Sequence, residues 1–503
     1  MTRGPEVGDS KGTLLIFDEF YDRNHEFKAV MDWQRIFKKS LRSSPKWGIM
    51  PESAPNWPDW SSRDSRPLSS DDMEKTTVLV GFAEALASPE VVWSLVDKGF
   101  RVHAFARRGR RSALRHSRHV VCHDICPPEL DLNAAYLELS SLLVFLRTDT
   151  DGTRPILFPM DDKAVWLSSM VQHDDQWVIA GPQGACADLA LHKHLQTAAA
   201  QDAGFNVPKT LLVRTAKQLF QFSSSQPFPI ILKSADCVPI YRQRFYSCPK
   251  WICADEEELE RAVTQWAERV PLLVQPYIPG AGEGVFGLAA PDGIKVWSAH
   301  RRLRMMNPHG SGSSACVSQS VGEELRPKVE ALLTRAGWRG LFMIEVLRDR
   351  FQTPWFIELN GRPWGSMALS RRQGLEYPAW HVQVATHQHS SLGWVPTPAG
   401  GIVCRNLGRE LMHLLFVVRG ARSKALSDWP SLWKSVREVI DIRRGDTFYN
   451  WRRDDPGVFL ADCYYTLRDN LFKGKRLRLP GHWRLPAKRK PVDLMSRSSV
   501  QQR

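Results

Sequence analysis

The chain is 503 residues long, which at roughly 150 residues per domain allows about three domains. Hydrophobic residues make up 43% and charged residues 24%, ordinary globular values that exclude a wholly disordered, collagenous or coiled-coil chain. The net charge is +14, of which residues 403–503 carry +12 (22 Lys and Arg against 10 Asp and Glu), leaving +2 for the rest. A basic tail of this kind suits nucleic acid, an anionic membrane, an acidic polymer or an acidic partner, or is simply a solvated basic surface. The longest apolar run, 411–418, falls far short of the ~18–20 residues of a membrane span. Nine cysteines without a Cys-x-x-Cys pair, and no apolar signal core at the N-terminus, lead to the expectation of a cytoplasmic protein, with the tail as a route to peripheral membrane contact.

Residues 1–75 read as an N-terminal extension and linker of Trp-Pro-Ser islands, with one helix candidate over 25–41. A domain is predicted over 76–187. TTVLVGF is a strand, Ser88-Pro89 opens a helix that Gly99 stops, and RVHAFA from Arg101 is the next strand, together a βαβ unit. A second α/β region is predicted over 188–396. It starts with a helix over 188–203 that ends at Gly204, then IILK at Ile230 as a buried strand. Asp255 and Glu258 form a box-like start to a helix striped by Leu259, Ala262, Val263 and Trp266. LLVQPYI, GVFGLAA and IKVWSAH read as strands, a helix spans 323–336, and strands follow at 341–347 and 355–360. The remainder, 397–503, is the basic C-terminal region.

FIELNGRPWGS, from Phe356, is the most informative segment. Alternate residues of a strand share a face, so Glu358 and Asn360 lie together while Trp355, Ile357 and Leu359 pack on the other side. Glu345 sits on the preceding strand, within MIEV. Two carboxylates and an amide oxygen on adjacent strands suit a hard cation such as Mg²⁺ (or Mn²⁺). The same residues would also suit a solvated strand face. Arg362 is within reach of negative charge gathered there.

With Glu345, then Glu358-x-Asn360, then Arg362, the chain resembles the ATP-grasp ligases. Further residues carry the resemblance over about 76–396. Lys193 and Lys233 resemble the two nucleotide lysines. In LLVQPYIPG, Gln275, Tyr277 and Ile278 resemble the adenine-binding hinge, and Glu283 resembles the acid that holds ribose hydroxyls. FPMDD at Phe158 belongs to a stretch similar to the family's pre-ATP-grasp domain. The resemblance implies an α/β fold: a Rossmann-like pre-ATP-grasp domain, then a two-lobed ATP-grasp α+β fold, with the basic extension behind it. It implies ATP and Mg²⁺, small carboxylate and amine substrates, an acylphosphate, and release of ADP and phosphate. One departure is clear: SADCVPIYRQRFYSCPK follows Lys233 with no glycine, where the family commonly has a Gly-rich loop over the phosphates. Arg242 and Arg244 are candidates to replace its backbone amides.

AHRRLRMMNPHGSGSSA, from Ala299, offers Arg301, Arg302 and Arg304 followed by a Gly/Ser loop, an anion site or a basic edge strand. Arg304 and Arg362 are the candidates for stabilising the acylphosphate. His116, His119, Cys122, His123 and Cys126 fit no compact zinc spacing. The rival from another class is a non-catalytic ATP-grasp-like scaffold whose tail binds nucleic acid or an anionic membrane.

Overall fold

The computed structural model describes residues 76–149, 153–171, 176–223, 227–310, 312–386, 392–426 and 428–471. The helix expected over 25–41, the rest of the extension 1–75 and residues 472–503 of the basic C-terminal region lie outside them.

The first sheet is parallel, with five strands: β1 (Thr77–Gly81), β2 (Arg101–Arg107), β3 (Val121–Ile125), β4 (Ile156–Pro159) and β5 (Val178–Ile179), in the order β3-β2-β1-β4-β5. Every residue of β1 is buried, which is why its sequence is an unbroken apolar run rather than an alternation. Helix α1 (Ser88–Asp97) begins with Pro89 in its first turn and buries Val91, Val92 and Leu95; Gly99, at φ +88°, ends it. Helices α2 (Leu132–Asp149) and α3 (Asp162–Val171) complete this unit.

The helix expected over 188–203 is two helices, α4 (Ala185–Leu191) and α5 (Lys193–Asp202), broken at His192. His192 is extended (φ −114°, ψ 102°), bridges Asp236, and its Nδ1 lies 2.7 Å from the Asp236 carboxylate. A contact with a distant segment, just beyond the strand Ile230–Ser234, therefore overrides helix continuity, which local pattern alone favours.

A four-stranded antiparallel sheet follows, in the order β10-β7-β11-β6. It comprises β6 (Leu211–Val213), β7 (Ile230–Ser234), β10 (Trp251–Cys253) and β11 (Leu272–Pro276), with a hairpin of β8 (Ile240–Tyr241) and β9 (Arg244–Phe245) between β7 and β10. Helices α6 (Ala216–Ser223) and α7 (Glu256–Trp266) cover one face. The start of α7 is a capping box: Asp255 accepts from the Glu258 N–H, and Glu258 accepts from the Ala254 N–H at 2.9 Å.

The large sheet has seven strands, in the order β16-β15-β12-β13-β14-β17-β18. These are β12 (Ala281–Ala290), β13 (Gly293–Met305), β14 (Ser313–Gln319), β15 (Gly340–Arg348), β16 (Pro354–Asn360), β17 (Val403–Arg405) and β18 (Thr447–Phe448). Helix α8 (Arg326–Arg335) packs with α5 beneath it, around Val285, Trp297, Phe342 and Val346. A continuous core joins it to the parallel sheet through Phe286, Trp364 and Tyr377, aided by α9 (Met367–Arg372) and α10 (Tyr377–Ala385). The C-terminal region adds β17 and β18 to the sheet and packs α11 (Leu407–Arg419) on it; α12 (Leu432–Ile440) and α13 (Pro456–Leu471) pack on α11, and α13 also on the short turn Ala113–His116. Helix α11 buries Met412, His413 and Val417 and leaves Leu411 and Val418 exposed. Gly408 lies so close to α13 that a Cβ there would meet Cys463 and Thr466 at about 3.0 Å. Among the described residues no helix is long and apolar enough to cross a membrane.

Candidate active site

Strands β15 and β16 set Glu345 opposite Glu358 in antiparallel register. Both carboxylates stand on the face of the large sheet away from α5 and α8, because their neighbours Ile344, Val346 and Leu359 fill the core on the other side. Asn360 donates its amide to Glu358 Oε1 at 3.2 Å. On the next strand inward, β12, the residue opposite Glu345 is Gly284. A chain of small residues there opens a path across the strand. Arg302, on β13, uses it to reach Glu345 Oε1 at 2.7 Å. A Cβ on Gly282 would come within 2.8 Å of the Arg302 Cδ, so this glycine is required by close approach. Gly282→Ala is expected to displace the Arg302 guanidinium and lower turnover on the order of tenfold, read by ADP release, with the melting temperature little changed.

The opposing sheet supplies lysines. Register pairs Leu273 with Lys233 and Gln275 with Ile231, so these four share the face of β7 and β11 away from the core of α6 and α7. Lys250 precedes β10, and since Trp251 pairs with Leu232, it falls opposite Lys233. Its Nζ donates to the Gly310 carbonyl at 3.0 Å. Lys193 arrives at the head of α5 because of the break at His192; its backbone N–H donates to Ala235 at 2.9 Å and its Nζ approaches Cys237 Sγ at 3.5 Å. Arg362 is held by Asp162 through two bonds, Nε to Oδ1 at 2.9 Å and Nη2 to Oδ2 at 3.2 Å.

Five cationic side chains (Lys193, Lys233, Lys250, Arg302, Arg362) thus converge on three carboxylates (Asp162, Glu345, Glu358). Their mutual influence shows in their acidities. Burial raises the Glu345 carboxyl, with Glu358 adding like-charge repulsion against the pull of Arg302. Burial also pushes Glu358 up, but Lys193, Arg362 and the Asn360 amide outweigh it and hold it below the usual range. Burial, then Lys193 and Lys250, bring Lys233 down to about 8 against the pull of Glu358 and Glu345. Lys250 is lowered for the same first reason. Burial pushes the Cys237 thiol up to about 12, so it stays protonated beside Lys193. A half-buried cleft with surplus cations is suited to an anion.

The sequence-derived candidates distribute as follows. Lys193, Lys233, Glu345, Glu358, Asn360 and Arg362 come together. Gln275 lies on the same face as Lys233, its amide donating to Thr210 Oγ1 at 2.7 Å, and the half-buried Tyr277 and Ile278 follow at the end of β11. Glu283 does not join them: it is opposite Val346, on the core side of β12, and receives Arg348 Nε at 3.1 Å on both oxygens. Arg304 is also elsewhere. Two register shifts in β13 flank it, and it binds Glu410 bidentately (3.1 and 2.8 Å) and Glu438 at 3.1 Å, on α11 and α12. Arg302, two residues earlier on β13, is the arginine that reaches Glu345. Lys250 and Asp162 escaped the sequence reading; only the pairing of β10 with β7 and the packing of α3 reveal them.

In place of a Gly-rich loop stands the β8–β9 hairpin. Its turn residues Arg242 and Gln243 are both left-handed (φ 52° and 57°), the two-residue turn that favours Asn-Gly. The hairpin is docked by side chains: Phe245 meets Trp166 edge to face at 5.1 Å and its N–H donates to Pro128. Arg242 and Arg244 are exposed, with the Arg242 guanidinium 5.2 Å over Tyr241.

Parallel sheet, small antiparallel lobe and large antiparallel lobe facing one another across this charged cleft make the ATP-grasp fold. The chain is similar in structure to an N5-carboxyaminoimidazole ribonucleotide synthetase solved as its ADP complex, at TM-score 0.52 and 13% identity over 69% of this chain and 85% of that one. It is also similar to an L-amino acid ligase from Bacillus licheniformis, at TM-score 0.48 and 16% identity over 64% and 77% of the two chains. No protein-family model and no curated protein sequence matches it.

Proposed function

We propose that the protein is an ATP-dependent ligase that activates a carboxylate as an acylphosphate and joins it to an amine, releasing ADP and phosphate. The observation that carries this reading is the convergence of five cations, four of them half-buried and Lys250 at the exposed rim, on the cross-strand pair Glu345 and Glu358. ATP is the polyanion such a site suits. Lys193, Lys233 and Lys250 supply charges to phosphate oxygens from three separate elements, and Gln275 with the apolar Ile231 and Leu273 offers a surface for the base. Arg362, locked in place by Asp162, and Arg302, locked by Glu345, are oriented before substrate arrives, so no reorganisation opposes charge developing on the transferred phosphoryl group. Arg362 and Arg302 take the role expected of Arg362 and Arg304.

The donor set fits Mg²⁺. Glu345, Glu358 and the Asn360 carbonyl oxygen are hard oxygen ligands on adjacent strands, one or two carboxylates being what this ion usually takes from protein. Among the described residues no group of three or more His, Cys, Asp or Glu is placed to hold a metal. These three residues would hold Mg²⁺, which when bound would supply positive charge to offset that of the phosphates.

The test is ADP release measured with Mg-ATP across pooled carboxylates and amines, with mass spectrometry of the product. Release that requires both a carboxylate and an amine supports the ligase. Nucleotide binding without release under any pool supports a scaffold instead.

Lys233 gives the reading a pH signature. Its folded pKa, about 8, lies below the ordinary lysine value of 10.5. The folded chain therefore binds fewer protons than the unfolded one between pH 8 and 10.5, and this group's penalty on stability, complete below pH 8, is relieved as pH rises through that window. Phosphate binding needs the charged form, so ATP affinity is expected to fall above pH 8, by up to about tenfold per pH unit. Lys233→Arg, which keeps its charge, should flatten the profile; calorimetric titrations at pH 7, 8 and 9 would show it.

A further inference from the structure

A second site lies next to the phosphate cleft. It is a cavity of about 400 Å³ at the carboxyl ends of β1, β2 and β4, walled on its far side by α13 of the C-terminal region. In open parallel sheets this end, at the point where strand order reverses between β1 and β4, is where ligands bind. The volume is within the range of small-molecule sites.

Its charge is arranged by depth. At the floor, Arg107 is buried and pairs with Glu84 (3.5 Å), Glu129 (3.2 Å) and Asp161 (3.2 Å). Lys163 also donates its Nζ to Glu129 Oε1 at 2.5 Å, so three acids face two cations and one acid is in excess. Glu84 Oε2, beyond its 3.5 Å pairing with Arg107, and Glu129 Oε2 are buried with no hydrogen-bond partner. Burial, offset in part by Arg107, raises the Glu84 carboxyl. At the mouth, Arg110 and Arg111 are exposed and neither meets a carboxylate among the described residues; Arg111 lies 5.7 Å over the Tyr465 ring of α13. Counting all lining groups, four cations face five acids, so the cavity has no surplus for a polyanion. It suits a molecule with a positive end inward and a negative end outward.

The cavity also shares a wall with the phosphate cleft. Asp161 turns to Arg107 at the cavity floor, while Asp162, its neighbour in the chain, turns to Arg362. The floor and the phosphate cleft therefore draw on adjacent residues of one segment.

We infer that this cavity seats the amine substrate, and that this substrate is a zwitterion of amino-acid type, its ammonium on Glu84 and Glu129 and its carboxylate on Arg110 and Arg111. The inference rests on the ligase reading for the word substrate, but not for the binding. It also makes α13, which lies in the C-terminal region, part of the site.

The test is thermal shift of the full chain with two probes kept separate: each of the twenty proteinogenic amino acids at on the order of 10 mM without nucleotide, and Mg-ATP alone. At least one free amino acid should raise the melting temperature by about 2 °C or more. Its N-acetyl derivative and its decarboxylated amine should not. Glu84→Gln and Arg111→Ala should each weaken that amino acid at least about tenfold while the response to Mg-ATP persists. Arg111 is exposed, so its variant stays informative if Glu84→Gln fails to fold. A response to Mg-ATP with none to any amino acid overturns the inference, as does an amino acid bound equally by both variants. An amino-acid response without one to Mg-ATP supports the cavity and counts against the nucleotide reading alone.

Discussion

Glu358→Gln is expected to lower Mg-ATP-dependent turnover on the order of 100-fold or more. The substitution keeps shape and the contact with Asn360 but removes the charge on which Lys193, Arg362 and Lys233 converge. Two consequences follow. An oxygen ligand of the fitted Mg²⁺ set is weakened, misplacing the phosphates it would share. Lys233 loses the neighbour that most raises its pKa, so less of it is charged at pH 8. Leaving half-buried cations short of a partner also carries a stability cost of up to a few kcal/mol. The measurement is ADP release beside a thermal melt of the same preparation. Undiminished release from a folded variant would contradict the assignment of Glu358.

Glu410→Ala is expected to have the largest effect on stability. Glu410 is 2% exposed and is shared by two guanidiniums: Arg304 grips both of its oxygens, and Arg405 reaches Oε2 at 2.8 and 3.2 Å. Arg405 is 3% exposed and also bonds Asp446 and the carbonyls of Glu438, Val439 and Asp441. Removing the shared carboxylate leaves Arg304 with Glu438 and Arg405 with Asp446 as their remaining acids, two cations short of the carboxylate they share, a loss of about 3 kcal/mol. Since the network ties β13 and β17 to α11 and α12, the C-terminal helices should open first. Limited proteolysis would read this as early cleavage within 407–471, and an unchanged digestion pattern and melt would refute it. Arg304→Met should cost less, because Glu410 keeps Arg405.

Periodicity carried much of the fold. The unbroken apolar run of β1, the Ser-Pro start of α1 and the box at Asp255 are local signals, and each element forms where its local chemistry places it. Long-range pairing was not legible. The break at His192 depends on Asp236, 44 residues away. The exclusion of Glu283 from the charged cleft depends on which face of β12 meets the core. The diversion of Arg304 depends on bulges in β13 and an acid more than 100 residues on. In the site, Glu345, Glu358 and Asn360 were readable because strand alternation is a short-range rule. Lys250 was not singled out, because its register with Lys233 is set by a strand pairing; Arg302 was named only within an arginine cluster, because glycines on β12 decide which arginine crosses it. The glycine-free segment after Lys233 was visible as an oddity, but its docking through Phe245 on Trp166 was not.

Calorimetric titration of the full chain with Mg-ATP at pH 7, set beside Lys233→Ala, tests the central claim most directly, that the cations gathered over Glu345 and Glu358 form a nucleotide phosphate site. Saturable binding to the unaltered chain, weakened about tenfold or more by Lys233→Ala, is the expected result. No binding at millimolar Mg-ATP, or equal affinity in both proteins, would contradict it.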